Sequence, residues 1–463
     1  MVLLTDILIS LKKRWFFMKK VALGVVLSAV VLFWGGGCNS VKNTRESLQP
    51  DCNKSVLDLC SFPQNAEAYA SNIKEKRELL PKQQSYVQDY YLPWRYAAVP
   101  KTAEEVVWPF STYDAEDGYG ENLRPLEQGW FDEMFRRSNF SDYGSLNRFA
   151  LSLRFTSLRN FPTDKPYFND PSKAGEGFPF DYLQNSAIHA NEPLFVSHMS
   201  DDGAWVYVFT SYATGWIRSH ELVYLSHSKA QFWQDHIHIS LIDDDFPVKD
   251  ENGNFLFRGR IGIVLPLLEE NEKYYTVMAA SADGEAKARF VSARIPKKYA
   301  VKKPLLFNGK NITLVGNELL KSKYGWGGLY EDRDCSSTMR DFFAPFGIWL
   351  PRNSSQQAKV GKQISFEGLG NDEKIRLIKS EGVPFETLLY LKGHIVLYIG
   401  EYKNSIMILH NMWGVKTFTE AGEGRVVVGR TVISTLEIGK EIKGYDSSYS
   451  LLSRLKSMNI VTR

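Results

Sequence analysis

Apolar residues after Cys335 recur at intervals of three and four positions, as they do on one face of a helix. Met339, Phe342, Phe343 and Phe346 form this series, which predicts a helix that begins at or just before Cys335. A thiol at the start of a helix lies near unpaired backbone N–H groups and the positive end of the helix dipole. Since these favour the thiolate, Cys335 is a candidate nucleophile.

Two short apolar runs follow further along the chain, and both are too short for typical helices. Residues 393–400 begin with a glycine and His394, and residues 405–410 end at His410. A turn-like segment, 401–404, lies between them, so the pattern predicts an antiparallel hairpin with a histidine on each arm. Nucleophilic thiol catalysis requires a cysteine, a histidine and a second polar group that orients the histidine.

The middle of the chain alternates apolar and polar residues over short segments that are separated by turn signals. Such segments at 194–197, 204–209 and 214–217 predict one small β-barrel, and those at 260–266, 274–278 and 286–291 predict another. Before them, residues 39–156 are polar and are predicted to be mostly helical.

The N-terminus has the order of an export signal. Lys19 and Lys20 precede an apolar run, residues 21–34, which ends in three glycines and Cys38. We expect lipidation of Cys38 after removal of the signal, with plain cleavage or an uncleaved anchor as the alternatives. Met18 stands directly before the lysines, so translation is expected to start there.

Charge and length exclude some functions. The chain has 56 basic and 53 acidic residues, a net charge of +3, which gives no indication of a nucleic-acid partner. About 425 residues follow position 38, enough for three or four domains. Aromatic residues make up 13% of the chain, as is common in small β-domains and in surfaces that bind sugars or peptides.

Three further features leave alternatives open. Cys52 and Cys60 are closely spaced and would form a disulfide in an oxidising compartment. His236 and His238 are predicted to share one face of a strand close to three aspartates, 243–245. They could bind a metal ion, although exposed strand histidines are commoner, and we assign no metal ligand and no cofactor.

Four sequence blocks resemble, in order, the signature of the NlpC-type cell-wall peptidases, which are papain-like cysteine enzymes. They span roughly residues 305–430 and comprise Tyr324-Gly-Trp-Gly-Gly, Asp334-Cys335-Ser336, Leu350-Pro-Arg352-Asn-Ser354 with Gln357, and Gly393-His394-Ile-Val-Leu-Tyr-Ile-Gly400. The resemblance implies hydrolysis of the bond between γ-D-glutamate and the diamino acid in peptidoglycan stem peptides.

The resemblance also implies roles for individual residues. Cys335 would be the nucleophile, His394 the base and His410 the third catalytic residue, while Tyr324, Ser336 and Arg352 would contact the oxyanion or the substrate. Two departures from the family pattern stand out. Ser337 replaces the usual glycine, and sixteen positions separate the two histidines, more than in compact members.

One loop of the first barrel is expected to reach the catalytic groove, as it does in this family. Residues 175–186 are the candidate segment, with Glu176, Asp181 and Tyr182 as its specificity residues. The alternative is that the aromatic and proline residues of this segment only pack the barrel.

The predicted fold class is α+β. A papain-like domain over 304–463 would follow two SH3-like barrels, at 157–229 and 230–303, and a mostly helical stabilising domain at 39–156, with the signal in 1–38. The expected partners are peptidoglycan stem peptides and, through the lipid, a membrane on the periplasmic side of the envelope. The protein is expected to be monomeric. A recycling peptidase that accepts only freed stem peptides with an N-terminal L-Ala, or a non-catalytic wall-binding scaffold, are the alternatives.

Overall fold

The computed structural model describes residues 56–71, 73, 80–420 and 422–463. Cys38 and Cys52 lie outside these ranges. Cys60 is disulfide-bonded, and its pairing with Cys52 stays a prediction. Among the described residues, none of the helices combines the length and the apolar character that a membrane span requires.

The N-terminal region contains short helices, some only one turn long. Thr102 and Glu105 form a capping box at the start of one of them, which satisfies backbone N–H groups that the helix itself leaves unpaired. A 3-10 turn occupies Leu92–Arg95. The helices are α1 Asp58–Ser61, α2 Glu67–Ala70, α3 Leu80–Tyr90, α4 Ala103–Val106, α5 Pro109–Thr112 and α6 Gln128–Arg137.

The first barrel is an antiparallel sheet in the order β3-β2-β6-β5-β4-β1-β7. It begins at Arg148, earlier than the predicted boundary at 157, because residues 148–151 pair with 193–196. The predicted mostly helical region extends to residue 156, and strand pairing overrides that prediction at Arg148–Ser152. The strands are β1 Arg148–Ser152, β2 Thr156–Arg159, β3 Gln184–Ile188, β4 Pro193–Met199, β5 Trp205–Phe209, β6 Thr214–Arg218 and β7 Leu222–Leu225.

The second barrel follows helix α7, His227–Gln234, and has the strand order β13-β12-β11-β8-β14 with a separate β9–β10 hairpin. The predicted common strand face for His236 and His238 is wrong, since only His238 lies on a strand. His238 Nε2 is 2.6 Å from the Tyr91 hydroxyl, and His236 Nδ1 is 2.7 Å from the Phe232 carbonyl oxygen. The strands are β8 His238–Leu241, β9 Pro247–Lys249, β10 Phe255–Arg258, β11 Val264–Glu270, β12 Tyr274–Ala282, β13 Ala288–Pro296 and β14 Ala300–Lys302.

The C-terminal domain is a sheet in the order β15-β20-β16-β17-β18-β19 with helices packed against it. Its helices are α8 Gly309–Leu319, α9 Cys335–Phe343, α10 Ser354–Gln357, α11 Asn371–Glu381 and α12 Leu451–Arg454, with a 3-10 segment at Trp326–Glu331. Its strands are β15 Lys362–Ser365, β16 Thr387–Leu391, β17 His394–Tyr402, β18 Ser405–Thr419, β19 Gly422–Thr435 and β20 Leu455–Ile460.

Helix α9 is fixed to this sheet by its apolar face. Met339 and Phe342 are fully buried and belong to one cluster with Ile395, Leu397 and Leu409 of strands β17 and β18. Each such side chain contributes about 1.5–3 kcal/mol on burial. The 3.6-residue pattern therefore determines which face of α9 meets the sheet, and so where Cys335 lies.

Candidate active site

Cys335 is the first residue of α9, as the sequence predicts. Asp334 caps the helix, because its carboxylate accepts the Ser337 backbone N–H at 2.8 Å. The Ser337 hydroxyl in turn accepts the Asp334 backbone N–H at 2.9 Å. The departure from glycine at position 337 thus completes a capping box, which fixes the start of the helix and the nucleophile with it.

The structure brings the two histidines into contact across the β17–β18 hairpin. His394 Nε2 lies 2.9 Å from His410 Nδ1, and His410 Nε2 lies 3.0 Å from the Ser434 hydroxyl. His410 is completely buried. His410 is therefore placed to orient His394, and Ser434 of strand β19 is placed to orient His410.

The thiol lies beside the start of strand β17. The Ile395 backbone hydrogen-bonds to the Cys335 sulfur, and Ile395 directly follows His394. Because His394 Nε2 is engaged by His410, Nδ1 is the ring nitrogen left to take the thiol proton. Papain-like thiol chemistry needs this division between the two nitrogens.

Burial decides the protonation states of this pair. Burial raises the pKa of the Cys335 thiol to about 12, and that value includes a smaller contribution in the same direction from the neighbouring Asp334 carboxylate. Burial also lowers the pKa of His394 to about 4, with a smaller contribution in the same direction from Arg454. The expectation that the helix start favours a thiolate is wrong for the resting site, because the loss of hydration outweighs the helix dipole. The resting pair is a neutral thiol and a neutral imidazole.

Arg352 is buried and faces the helix cap. Its Nη2 lies 2.5 Å from the Asp334 carboxylate, its Nη1 donates to Ser336 Oγ at 2.6 Å, and its Nε donates to Ser186 Oγ at 2.7 Å. These bonds lock Asp334 and join the helix start to the first barrel. The expected substrate contact by Arg352 stays a prediction that this geometry does not favour, and the same holds for Ser336, whose hydroxyl donates to Asp334.

Tyr324 lies next to the nucleophile. Its backbone N–H donates to the Gly429 carbonyl at 2.9 Å, and its ring is 5.8 Å from the Trp413 ring. Burial raises the pKa of the Tyr324 hydroxyl, and Cys335 is the next largest cause. The hydroxyl is therefore neutral and able to donate a hydrogen bond, and its predicted oxyanion contact stays a prediction.

The loop from the first barrel reaches this site. The Phe180 ring lies 5.2 Å from Trp326, 6.0 Å from Trp413 and 6.4 Å from Tyr324, measured between ring centroids. Phe180 and Trp413 were not among the predicted site residues. A signal for Phe180 was present in its position within the predicted loop, but nothing in the sequence links Trp413 to it.

The three predicted specificity residues occupy different places. Asp181 is buried in the barrel, where it pairs with Arg159 at 2.5 Å, so it holds the loop together rather than facing the groove. The Tyr182 hydroxyl donates to Glu176 at 2.9 Å, and the Tyr182 ring packs on Trp326 at 5.6 Å. The rings of Phe180, Tyr182, Trp326 and Trp413 thus form one aromatic wall, and Glu176 accepts the hydrogen bond of the Tyr182 hydroxyl.

Two glycines of the Gly-Trp-Gly-Gly block allow the barrel to approach. Gly327 and Gly328 both have positive φ, and a Cβ on either would lie 2.5 Å from the barrel, at the Gln184 carbonyl and the Ala187 side chain respectively. The Gln184 side-chain amide donates to the Gly327 carbonyl at 3.2 Å. Only glycine permits this close backbone contact.

Four family models match the chain in order. Residues 25–143 match the NLPC_P60 stabilising domain, residues 166–218 an SH3 domain of SH3b1 type, residues 226–272 an SH3 domain of SH3b2 type, and residues 321–418 the NlpC/P60 family. The C-terminal domain is thus an NlpC/P60 domain, preceded by that family's stabilising domain and two bacterial SH3 domains. This is the fold of a cell-wall peptidase.

A solved structure has a similar fold. An NlpC/P60 endopeptidase from Photobacterium damselae subsp. piscicida is similar with a TM-score of 0.75 at 23% identity, over 87% of this chain and 98% of that chain. A NlpC/P60 family protein from Bacillus cereus has a TM-score of 0.45 at 14% identity, over 68% of this chain and 100% of that one. The search of curated proteins gave no match.

Proposed function

We propose that the protein is a cysteine endopeptidase that hydrolyses the γ-D-glutamyl to diamino acid bond of peptidoglycan stem peptides. One observation carries the proposal. In an NlpC/P60 domain, a thiol at a helix start lies beside His394, whose Nε2 is held 2.9 Å from His410. That is the constellation of a thiol nucleophile, a base and an orienting group.

The first step is a proton transfer coupled to attack. Because burial holds the Cys335 pKa at about 12 and the His394 pKa at about 4, the site stores no thiolate. His394 Nδ1 takes the thiol proton as the sulfur attacks the γ-glutamyl carbonyl carbon. The carbonyl oxygen then carries the negative charge.

The oxyanion is stabilised by donors at the start of α9. The first backbone N–H groups of a helix have no acceptor within the helix, so that of Cys335 can donate to an oxygen bound beside the sulfur. The Tyr324 hydroxyl supplies a further donor. Preorganised donors of this kind stabilise the transition state more than the ground state.

In the second half of the reaction, His394 returns the proton that it took from the thiol. The His394 imidazolium protonates the leaving amine of the diamino acid, and the thioester remains on Cys335. Water, deprotonated by His394, then hydrolyses the thioester and restores the thiol. His410 keeps the His394 ring in one orientation through both halves.

The aromatic wall favours a second candidate, a recycling peptidase restricted to freed stem peptides. Phe180 belongs to the barrel loop and lies 6.4 Å from the Tyr324 ring, so the barrel forms part of the groove next to the nucleophile. A loop in this place limits how long a substrate can extend on that side. A non-catalytic scaffold fits less well, since the complete Cys335, His394 and His410 set would then have no use.

We place the enzyme outside the cytoplasm, on the periplasmic side of the envelope, as a lipid-anchored monomer. The support is the order of charged, apolar and small residues up to Cys38. The disulfide at Cys60 fits the same oxidising compartment.

The test is a digestion of purified sacculi and, separately, of a free L-Ala-γ-D-Glu-diaminopimelate tripeptide, with mass analysis of the products. The proposal expects two kinds of product, one that ends in γ-D-glutamate and one that begins with diaminopimelate. The Cys335→Ala variant should release neither product. Cleavage of the tripeptide alone would identify the recycling enzyme. Fragments produced by Cys335→Ala, or cleavage only at another bond, would refute the proposal.

A further inference from the structure

Strand β19 lies at the edge of the catalytic sheet, and residues of the N-terminal region cover that edge. The Gln64 side-chain amide donates to the Ile433 carbonyl at 2.7 Å and accepts the Ile433 N–H at 2.9 Å. The amide thus pairs with the strand as a neighbouring peptide group would. This fixes the backbone on one side of Ser434.

Asp58 fixes the backbone on the other side of Ser434. Its carboxylate Oδ2 accepts the Thr435 backbone N–H at 2.7 Å and the Thr435 hydroxyl at 2.8 Å. Asp58 and Gln64 both lie in or near the first two helices, far from the catalytic domain in sequence. Together they hold residues 433 and 435, and the residue between them is Ser434.

The Ser434 hydroxyl has a defined direction. It donates to the Thr435 carbonyl at 2.9 Å, and a hydroxyl has one proton. The Ser434 oxygen must therefore accept a hydrogen bond from the N–H at His410 Nε2, 3.0 Å away. His410 Nδ1 then carries no proton, and its lone pair accepts a hydrogen bond from the N–H at His394 Nε2. His394 Nδ1 is consequently left unprotonated.

We propose that Ser434 is a positioning residue that sets the tautomers of both histidines, and that Gln64 and Asp58 hold it in place. The inference rests on the proposed function for its catalytic consequence. Ser434 does not touch the substrate. It acts through His410 to keep the proton-accepting nitrogen of His394 free for the thiol.

The opposite tautomer chain would disable the site. It would require Ser434 to give up its bond to the Thr435 carbonyl and to donate to His410 instead. His410 would then donate to His394 Nε2, and His394 would carry its proton on Nδ1, where it could not accept one from Cys335. Ser434 and His410 are both fully buried, so water does not compete for these bonds.

The test compares Ser434→Ala with Thr431→Val in the full chain. Thr431 lies on the same strand and is buried, and its hydroxyl has no hydrogen-bond partner among the residues that the structure describes, so it is a matched control. We expect Ser434→Ala to lower kcat on the tripeptide by roughly ten- to a hundred-fold with KM nearly unchanged, as for a small loss of catalytic geometry. Thr431→Val should keep the wild-type kcat, and Ser434→Thr should restore most of it.

Nitrogen NMR of histidine-labelled protein reads the tautomers directly. The wild type should show His394 and His410 both protonated at Nε2, and Ser434→Ala should show a mixture or the Nδ1 forms. Unchanged tautomers, or an unchanged kcat, in Ser434→Ala would overturn the proposal. If the wild type cleaves no stem peptide, the proposed function fails, while the NMR measurement still decides the role of Ser434.

The Gln64→Ala variant tests whether the hydrogen bonds of Gln64 to Ile433 hold Ser434 in place. It should lower kcat less than Ser434→Ala does and should speed the hydrogen exchange of the Ile433 amide. If both stay at wild-type values, the N-terminal residues do not support Ser434.

Discussion

His394 and His410 meet because of one extra residue in strand β17. The turn at Lys403 and Asn404 pairs Tyr402 with Ser405, and this register, continued, would place His410 opposite Leu397. His394 is three positions from Leu397 and would lie on the other face of the sheet. A β-bulge between Tyr398 and Gly400 shifts the register, so that Leu397 pairs with Leu409. His410 then falls opposite Val396, on the same face as His394.

Gly400→Ala should therefore disable the enzyme through the backbone. Gly400 has φ +110°, a conformation that costs a residue with a Cβ about 1–3 kcal/mol. We expect the bulge to relax, the contact between His394 and His410 to be lost, and kcat to fall sharply. Steady-state kinetics and thermal unfolding would measure the two effects.

The control for Gly400→Ala is Gly284→Ala. Gly284 has φ +94° with open space around it, in a turn of the second barrel. The Gly284→Ala variant should lose a similar amount of stability and should keep the wild-type kcat. If both variants keep kcat, the bulge does not position the histidines.

Loss of the orienting histidine should cost less than loss of the nucleophile. We expect His410→Ala to lower kcat by roughly two to four orders of magnitude, as when an orienting group is removed from a catalytic triad. His410→Asn should recover part of the rate, because its amide can accept from His394 Nε2 and donate to Ser434. A rate for His410→Ala equal to the wild type would exclude His410 from the mechanism.

The neutral resting pair predicts the pH dependence of the thiol. Because the pKa of Cys335 is raised to about 12, the thiolate fraction grows with pH through the whole neutral and alkaline range. Alkylation by iodoacetamide should be slower at pH 7 than for a free cysteine, whose pKa is about 8.5, and should rise steadily with pH. Cys335→Ala gives the background, since Cys335 is the free cysteine of the described residues.

The neutral state of Cys335 and His394 also predicts how the enzymatic rate falls at acidic pH. His394 must be neutral to accept a proton, and its pKa is lowered to about 4. The value of kcat/KM should therefore hold as pH falls through 6.5 and decline only near 4. A decline centred near 6.5, or alkylation that is fast and independent of pH, would instead indicate a preformed thiolate and imidazolium.

A substitution of Arg352 can distinguish a role of this residue in stability from a role in substrate binding. Arg352→Met leaves the buried Asp334 carboxylate without its partner, which should cost about 3–5 kcal/mol in the free energy of unfolding. Chemical denaturation measures this, and the double variant with Asp334→Asn should recover part of it. A variant with a raised KM and unchanged stability would show that Arg352 binds the substrate instead.

The sequence predicted those parts of the site that depend on neighbours in the chain. The helix start at Cys335 follows from apolar spacing, and the hairpin follows from two apolar runs around a turn. The barrels follow from alternation and turn signals, whereas the role of the loop at 175–186 follows from the resemblance. The roles of the histidines came from the resemblance of the surrounding blocks, and the activity itself stays a proposal.

Other parts depended on contacts between distant segments. Ser434 and Trp413 lie in strands whose sequence does not distinguish them, and they join the site only because the sheet and the docked loop place them there. Asp181 looked like a loop carboxylate and is buried against Arg159.

The sequence by itself determined the helix start at Cys335, the hairpin that carries the two histidines and the succession of helical and β segments, because periodicity and turn residues act over a few positions. The tertiary structure decided two things that local rules do not reach. One is the strand register, where a single bulged residue determines the face on which His410 lies. The other is the charge of the resting site, since only burial, which depends on every packed segment, makes both Cys335 and His394 neutral.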